Sequence, residues 1–207
     1  NLDLNSYDQV IMGNVLSAGL GQAPARQAAI LGGLNVSTEC LTINKMCGSG
    51  LKAVMIADNE IKSGAADMIL AGGMESMSNA PLLVNKNLSK IGHGKMIDSM
   101  IHDGLWDAYN EMHMGSCAEL LASERKYSRE LQDKYAVKSY KKAQNAINEG
   151  LFSNEIICVN DEGMMINDEE PGRAKFEKIP LIKPAFEKNG TITAANASKL
   201  NDGAAAL

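Results

Sequence analysis

The most reactive side chains are four cysteines, at 40, 47, 117 and 158, and three histidines, at 93, 102 and 113. No CxxC pair or Cys/His cluster has zinc-ligand spacing. The thin spread of cysteines reads as reduced thiols of an intracellular protein rather than a disulfide framework. Cys47 stands apart. It lies in Asn44-Lys45-Met46-Cys47-Gly48-Ser49-Gly50, between a strand-like run at 40–44 and a helix-like run from Leu51. A thiol at a helix N-terminus feels the positive end of the helix dipole and unpaired backbone N–H groups, and both favour the nucleophilic thiolate. Glycines at 48 and 50 let a ligand or a second backbone come close. The same N–H groups can stabilise an oxyanion formed when the thiolate attacks a carbonyl. The competing reading is a buried cysteine packed as a small hydrophobe, and Cys-Gly-x-Gly alone does not choose between them.

Three further places could carry chemistry. In residues 193–206, Asn201 or Asp202 can cap a following helix and Ser198 offers a hydroxyl to an amide, so the segment reads as a strand–turn–helix junction. His113, in Met112-His113-Met114-Gly115, is a ligand candidate set against a satisfied structural histidine. Arg173, Lys175, Lys178 and Lys183 form a basic window in an acidic chain. That window is either a solvated face or a seat for a phosphorylated molecule.

The elements that must position these residues follow from pattern. Residues 10–16 and 67–71 are short apolar runs suited to buried strands, the second closed by Gly72-Gly73. Pro24 opens a helix that ends at Gly32-Gly33, and the helix after Cys47 ends near Gly64 with Leu51, Val54, Met55 and Ile61 on it. Strand, helix, strand at this spacing is a βαβ unit with a parallel sheet. Residues 79–112 are polar and irregular, with a short helix expected over 96–104. Two helices follow at 115–127 and 128–150, the second turning Ala136, Tyr140, Ala143 and Ile147 inward. A strand at 155–159, an acidic solvated loop at 161–170 and a strand at 191–195 returning to the first sheet complete the reading.

Composition bounds the answer. The chain has 207 residues, 45% hydrophobic, with 20 basic and 25 acidic side chains and a formal charge of -5. This supports a real core and excludes disorder, a membrane-spanning helix and a whole-surface nucleic-acid binder. The residues from Asn1 show no charged-then-apolar signal peptide; the chain opens without Met and stops inside an alanine run, which reads as an internal fragment of a longer protein.

Taken together, Asn44-Lys-Met-Cys47-Gly-Ser-Gly50, Ala71-Gly-Gly-Met-Glu-Ser-Met-Ser78, His113-Met-Gly and Asn196-Ala-Ser198…Asn201-Asp-Gly-Ala-Ala resemble the thiolase family in order and spacing, as does Gly19-Leu-Gly-Gln-x-Pro-Ala-Arg-Gln-Ala28. The nearest likeness is to biosynthetic acetoacetyl-CoA thiolases of the mitochondrial-type subgroup, matched by the run His-Met-Gly-Ser-Cys-Ala-Glu at 113–119. The resemblance implies an α/β thiolase fold, here most of the N-terminal βαβαβαββ half (1–78 and 189–207) with an inserted, mainly helical loop domain (79–188). It implies condensation of two acetyl-CoA to acetoacetyl-CoA, or the reverse, with Cys47 as the nucleophile. His113 and Met114 match residues shaping the acyl and pantetheine pocket, Phe186 and Ser198 match pantetheine contacts, and Arg173, Ala174, Lys175 and Lys178 match the stretch holding the CoA nucleotide. Tyr140, counted among the CoA-binding residues, also matches a potassium site together with the carbonyls of Ala194, Ala195 and Ala197.

The resemblance requires no cofactor beyond coenzyme A carried by the substrate. It implies a homodimer or homotetramer in the cytoplasm, or alternatively the mitochondrial matrix, with no nucleic-acid or membrane partner. Runner-up readings are a degradative 3-ketoacyl-CoA thiolase and a non-catalytic CoA-binding module. Three residues depart from the subgroup's pattern: Lys175 for an acid, Lys199 for a small residue, and Leu82 for an aromatic. The family's Gly-His-Pro histidine, its Cys-x-Gly-Gly acid/base and a further oxyanion-hole Asn are absent from 1–207, so these residues alone are expected to lack turnover.

Overall fold

The computed structural model describes residues 3–86, 93–157 and 168–207. They fall into two compact units, Asn1–Ala108 with Leu200–Leu207, and Tyr109–Lys199. Residues 79–108, grouped above with the inserted domain, are compact with the first unit.

The first unit is built on a four-stranded sheet of order β2-β1-β3-β8. Strand β1 (Gln9–Gly13) runs parallel to both β2 (Glu39–Ile43) and β3 (Ile69–Ser76), as a βαβ pattern requires. Both faces of β1 are covered. Ile11 packs with Ala53 and Ala57 of α2 (Ser49–Ser63), while Val10 and Met12 pack with Ala25 and Ala29 of α1 (Pro24–Leu31). Pro24 takes the first helical position of α1, and Gly64 ends α2 at φ 76°, a left-handed stop that favours glycine. Only the alanine side of α2 is buried. Leu51, Met55 and Ile61 are exposed.

Several boundaries differ from the sequence reading. β1 stops at Gly13, three residues early, because the Glu75 carboxylate captures the Val15 and Leu16 amides at 2.8 and 3.1 Å and draws them out of the ladder. β3 runs through Gly72-Gly73 instead of closing there, because Gly72–Ser76 pairs antiparallel with β8 (Asp202–Ala206). The alanine run at the end is therefore a strand. No helix follows the junction: Asp202 accepts from Ser78 N at 2.9 Å and from the Ser78 hydroxyl. Residues 96–104 are not one helix. β5 (Met96–Asp98) pairs antiparallel with β4 (Leu82–Val84), and a short π-helix (Met100–Leu105) and β6 (Trp106–Asp107) follow.

In the second unit β7 (Met112–His113) leads into α3 (Met114–Glu124), then α4 (Arg129–Asn148), whose first turn the Ser128 hydroxyl caps by accepting from Leu131 N at 3.2 Å. The buried stripe of α4 begins at Asp133 and Ala136, passes through half-buried Tyr140 and Ala143, and does not reach Ile147, which is exposed. Residues 155–157 form no strand. Cys158 and Val159, and residues 161–167 of the acidic segment, lie outside the described residues. The segment's last acids start a helix, α5 (Glu169–Arg173), whose N-cap Asp168 accepts from Glu170 N. Residues 191–195 are not a strand either, since Glu119 of α3 takes the Thr191 and Ile192 amides and Asn196 takes that of Thr193.

Candidate functional site

In the first unit Cys47 sits on a turn that the sequence knits locally. The Asn44 side-chain oxygen accepts from Met46 N at 2.9 Å. The Ser49 hydroxyl accepts from Lys45 N at 2.8 Å and donates to the Met46 carbonyl at 2.6 Å. These bonds hold Met46 at φ 49°, a left-handed conformation that a side-chain-bearing residue adopts at a cost of about 1 kcal/mol or more. The result delivers Cys47 as a free, exposed thiol immediately before α2, whose N-cap Gly48 contributes no side-chain cap. Gly13 fits β1 against this helix start, since a Cβ there would lie 2.6 Å from the Ser49 backbone.

Cys47 lines a mainly apolar cavity of about 510 Å³ together with Met46, Gly73, Met100 and Leu105. At its polar end Asn14, buried to 3% exposure, donates to the Met74 carbonyl and to Glu75, at 3.1 and 2.9 Å. Its own side-chain oxygen has no partner among the described residues. The sequence pass singled out neither Asn14 nor Glu75 as a site residue.

In the second unit, His113 and Phe186, predicted 73 positions apart, do meet. Their rings stack at 4.9 Å between centroids, 27° from parallel. His113 Nδ1 accepts from Gly115 N at 3.0 Å and so caps α3, leaving the ring's proton on Nε2. The Phe186 ring lies directly on Gly115, where a Cβ would overlap it. Met114, next in the chain to His113, is exposed, and Ser198 is exposed as well.

Beneath lies a buried polar frame that periodicity does not reveal. The Glu119 carboxylate, 6% exposed, accepts from Thr191 N, the Thr191 hydroxyl and Ile192 N at 2.8–2.9 Å. Burial pushes its pKa up, but the Ile192 and Thr191 donors outweigh this and hold it below the ordinary value. Asp133, also buried, accepts from Arg129 Nε at 2.7 Å and from the Asn196 amide at 3.0 Å. Asn196 in turn accepts from Thr193 N at 2.7 Å. Together these bonds fix the 191–197 turn.

Two of the four expected potassium ligands, Tyr140 and the Ala194 carbonyl, are already engaged by protein groups. Tyr140 donates from its hydroxyl to Glu170 at 3.0 Å, and the Lys199 ammonium pairs with the same Glu170 oxygen at 3.0 Å. That ammonium also donates to the Ala194 carbonyl and lies 5.9 Å from the Tyr140 ring centroid. Burial lowers the Lys199 pKa, but Tyr140 and Glu170 more than offset it, so the ammonium is held charged. A potassium ion on Ala194 and Tyr140 would face this charge. The ion would have to compete with this tethered ammonium for the Ala194 carbonyl and the single Glu170 carboxylate, so these residues do not fit it; Ala195 and Ala197 remain half-buried beside them.

The basic window is exposed at Arg173, Lys175 and Lys178, with Ala174 half-buried between them. Arg173 is engaged by Glu169 one turn back. Among the described residues no cluster of His, Cys, Asp and Glu could hold a metal ion. No helix among the described residues is long and apolar enough to cross a membrane.

The sequence profile of the thiolase N-terminal domain matches residues 1–207. The chain belongs to the thiolase family. Rat mitochondrial acetyl-CoA acetyltransferase is 48% identical over 206 residues, covering 96% of this chain and 49% of that protein. Acetyl-CoA acetyltransferase 2 of Arabidopsis thaliana is 48% identical over 100% of this chain and 54% of its own length. Among solved structures, the Acat5 thiolase of Ascaris suum in complex with coenzyme A superposes with a TM-score of 0.94 at 43% identity, over 99% of this chain and 54% of that one. This thiolase chain spans about half the length of the curated relatives it matches.

Proposed function

We propose that the protein is an acetyl-CoA C-acetyltransferase in which Cys47 carries the acetyl group. One observation supports this most: a free, exposed thiol, set on a turn with a left-handed Met46 at the start of α2, on the wall of an apolar cavity wide enough for an acyl chain. The Cys47 thiolate attacks the thioester carbonyl carbon of acetyl-CoA. A new S–C bond forms, the bond to the CoA sulfur breaks, and CoA leaves with the electron pair, to be protonated by the proton Cys47 gave up. The C2 carbanion of a second acetyl-CoA then attacks the acetyl carbonyl, forming the C–C bond of acetoacetyl-CoA and returning Cys47 as thiolate. The base and acid for these proton transfers belong, by resemblance, to motifs outside residues 1–207.

In this reading His113, Phe186 and Met114 flank the acyl and pantetheine path, with Ser198 and Tyr140 beside it. Arg173, Ala174, Lys175 and Lys178 meet the nucleotide phosphates. Lys175 and Lys178 support this as exposed cations in a chain of charge -5. The outward apolar residues of α2 support a stacked second half, and the free edge of β2 supports a homo-oligomer. We place the enzyme in the cytoplasm, with the mitochondrial matrix as the alternative.

Mass spectrometry of the full-length protein mixed with acetyl-CoA tests the reading. One acetyl group is expected, mapping to Cys47. Cys47→Ala should abolish it and lower acetoacetyl-CoA thiolysis by about 10³-fold or more. An adduct elsewhere, or undiminished turnover in Cys47→Ala, would overturn the assignment. A ketoacyl chain-length series separates acetoacetyl-CoA preference from degradative use.

A further inference from the structure

We propose that the Lys199 ammonium is a built-in monovalent cation that fills the oxygen nest of Tyr140, Glu170 and Ala194, so that this protein keeps its 194–199 turn in place without potassium. The inference stands on the second unit's geometry and does not depend on the acyl-transfer reading.

An ammonium and a potassium ion ask for the same surroundings: several oxygens and a nearby negative charge. Lys199 Nζ has three donors. One goes to the Ala194 carbonyl, five residues back in the chain, and one to Glu170 Oε1 at 3.0 Å. The remaining face is turned to Tyr140, whose hydroxyl is held by the same carboxylate at 3.0 Å. Glu170 thus neutralises a charge that is covalently attached. The side chain is only a third exposed, so it is a partly enclosed contact rather than a solvated one. A tethered cation neither dissociates nor depends on the ionic composition of the medium. Without the lysine the same nest would keep a carboxylate and a carbonyl stripped of their ammonium partner, which is an invitation to a free ion.

The test compares melting temperatures of the full-length protein in potassium chloride and in tetramethylammonium chloride at equal ionic strength, with thallium-205 NMR reporting bound ion directly. The unsubstituted protein should melt within about 1 °C in the two salts and show no bound thallium in this nest. Lys199→Ser should melt lower in tetramethylammonium, recover by about 3 °C or more in potassium, and bind one thallium per chain. A potassium-specific rise or thallium binding at these residues in the unsubstituted protein overturns the proposal. So does a Lys199→Ser protein that remains indifferent to potassium. Should that variant fail to fold, the thallium spectrum of the unsubstituted protein decides alone.

Discussion

The absence of a single methyl group at Gly115 is what lets His113 and Phe186 stack. An added Cβ would run into the Phe186 ring, whereas at Gly13 it would run into the Ser49 backbone. The difference sets an order. Phe186 is 37% exposed and can swing outward, so Gly115→Ala should cost about 1–3 kcal/mol in a urea titration and leave the sheet intact. Gly13→Ala has no flexible neighbour to displace and should cost more, by separating β1 from the first turn of α2. A Gly13 variant as stable as the Gly115 variant would show that the helix start can yield. The local features around Cys47 were open to reading because strand, glycine-rich turn and helix are contiguous there. The ammonium nest was not: Tyr140 and Glu170 lie 30 positions apart, and no period links them.

At the level of elements, Glu119 joins α3 to the 191–192 amides, and its carboxylate gives that joint a pH dependence. Its folded pKa lies below the ordinary 4.5. The stability it contributes is therefore complete above that value and is lost as pH falls through the lower, folded one. Glu119→Gln should lose about 1–3 kcal/mol at neutral pH and show a shallower fall in stability below pH 4.5 than the unsubstituted protein. Parallel acid titrations by circular dichroism would read this, and superimposable curves would remove Glu119 from the account. The same carboxylate explains a misread element. Thr191, Ile192 and Thr193 have strand-forming side chains, but their amides are committed to Glu119 and Asn196. Conversely, the alanines of β8 favour a helix in isolation, and pairing with glycine-rich β3 overrides that preference. The central βαβ unit was legible because β1 is buried on both faces and its helices carry a clear start at Pro24 and a clear stop at Gly64.

At the scale of the whole molecule, the sheet order among the described residues leaves β2 as an edge, paired through β1 alone. Leu41 on it is 49% exposed. An open edge with an apolar residue is a site for pairing with a second copy. Leu41→Lys should shift the full-length protein toward monomer in sedimentation velocity, and an unchanged distribution would move the interface elsewhere. The outward Leu51, Met55 and Ile61 make a second apolar face, so a polypeptide confined to residues 1–207 should associate less specifically than the complete protein. The thiolase fold itself was readable from motifs spread along the whole length, those around Pro24, Cys47 and His113 marking junctions between elements.

The last strand also sets a timetable. Asp202 and Ser78, joined at the start of the β3–β8 pairing, are separated by 124 residues. A ribosome adding about 5–20 residues per second needs roughly ten seconds to cover that distance. For that interval β8 does not yet exist, so a β3 that has paired with β1 keeps its outer edge open to other strands. Nascent chains on one polysome are staggered in length, so several at once would carry β3 without β8, and slow synthesis between residues 78 and 202 should favour their association through that edge.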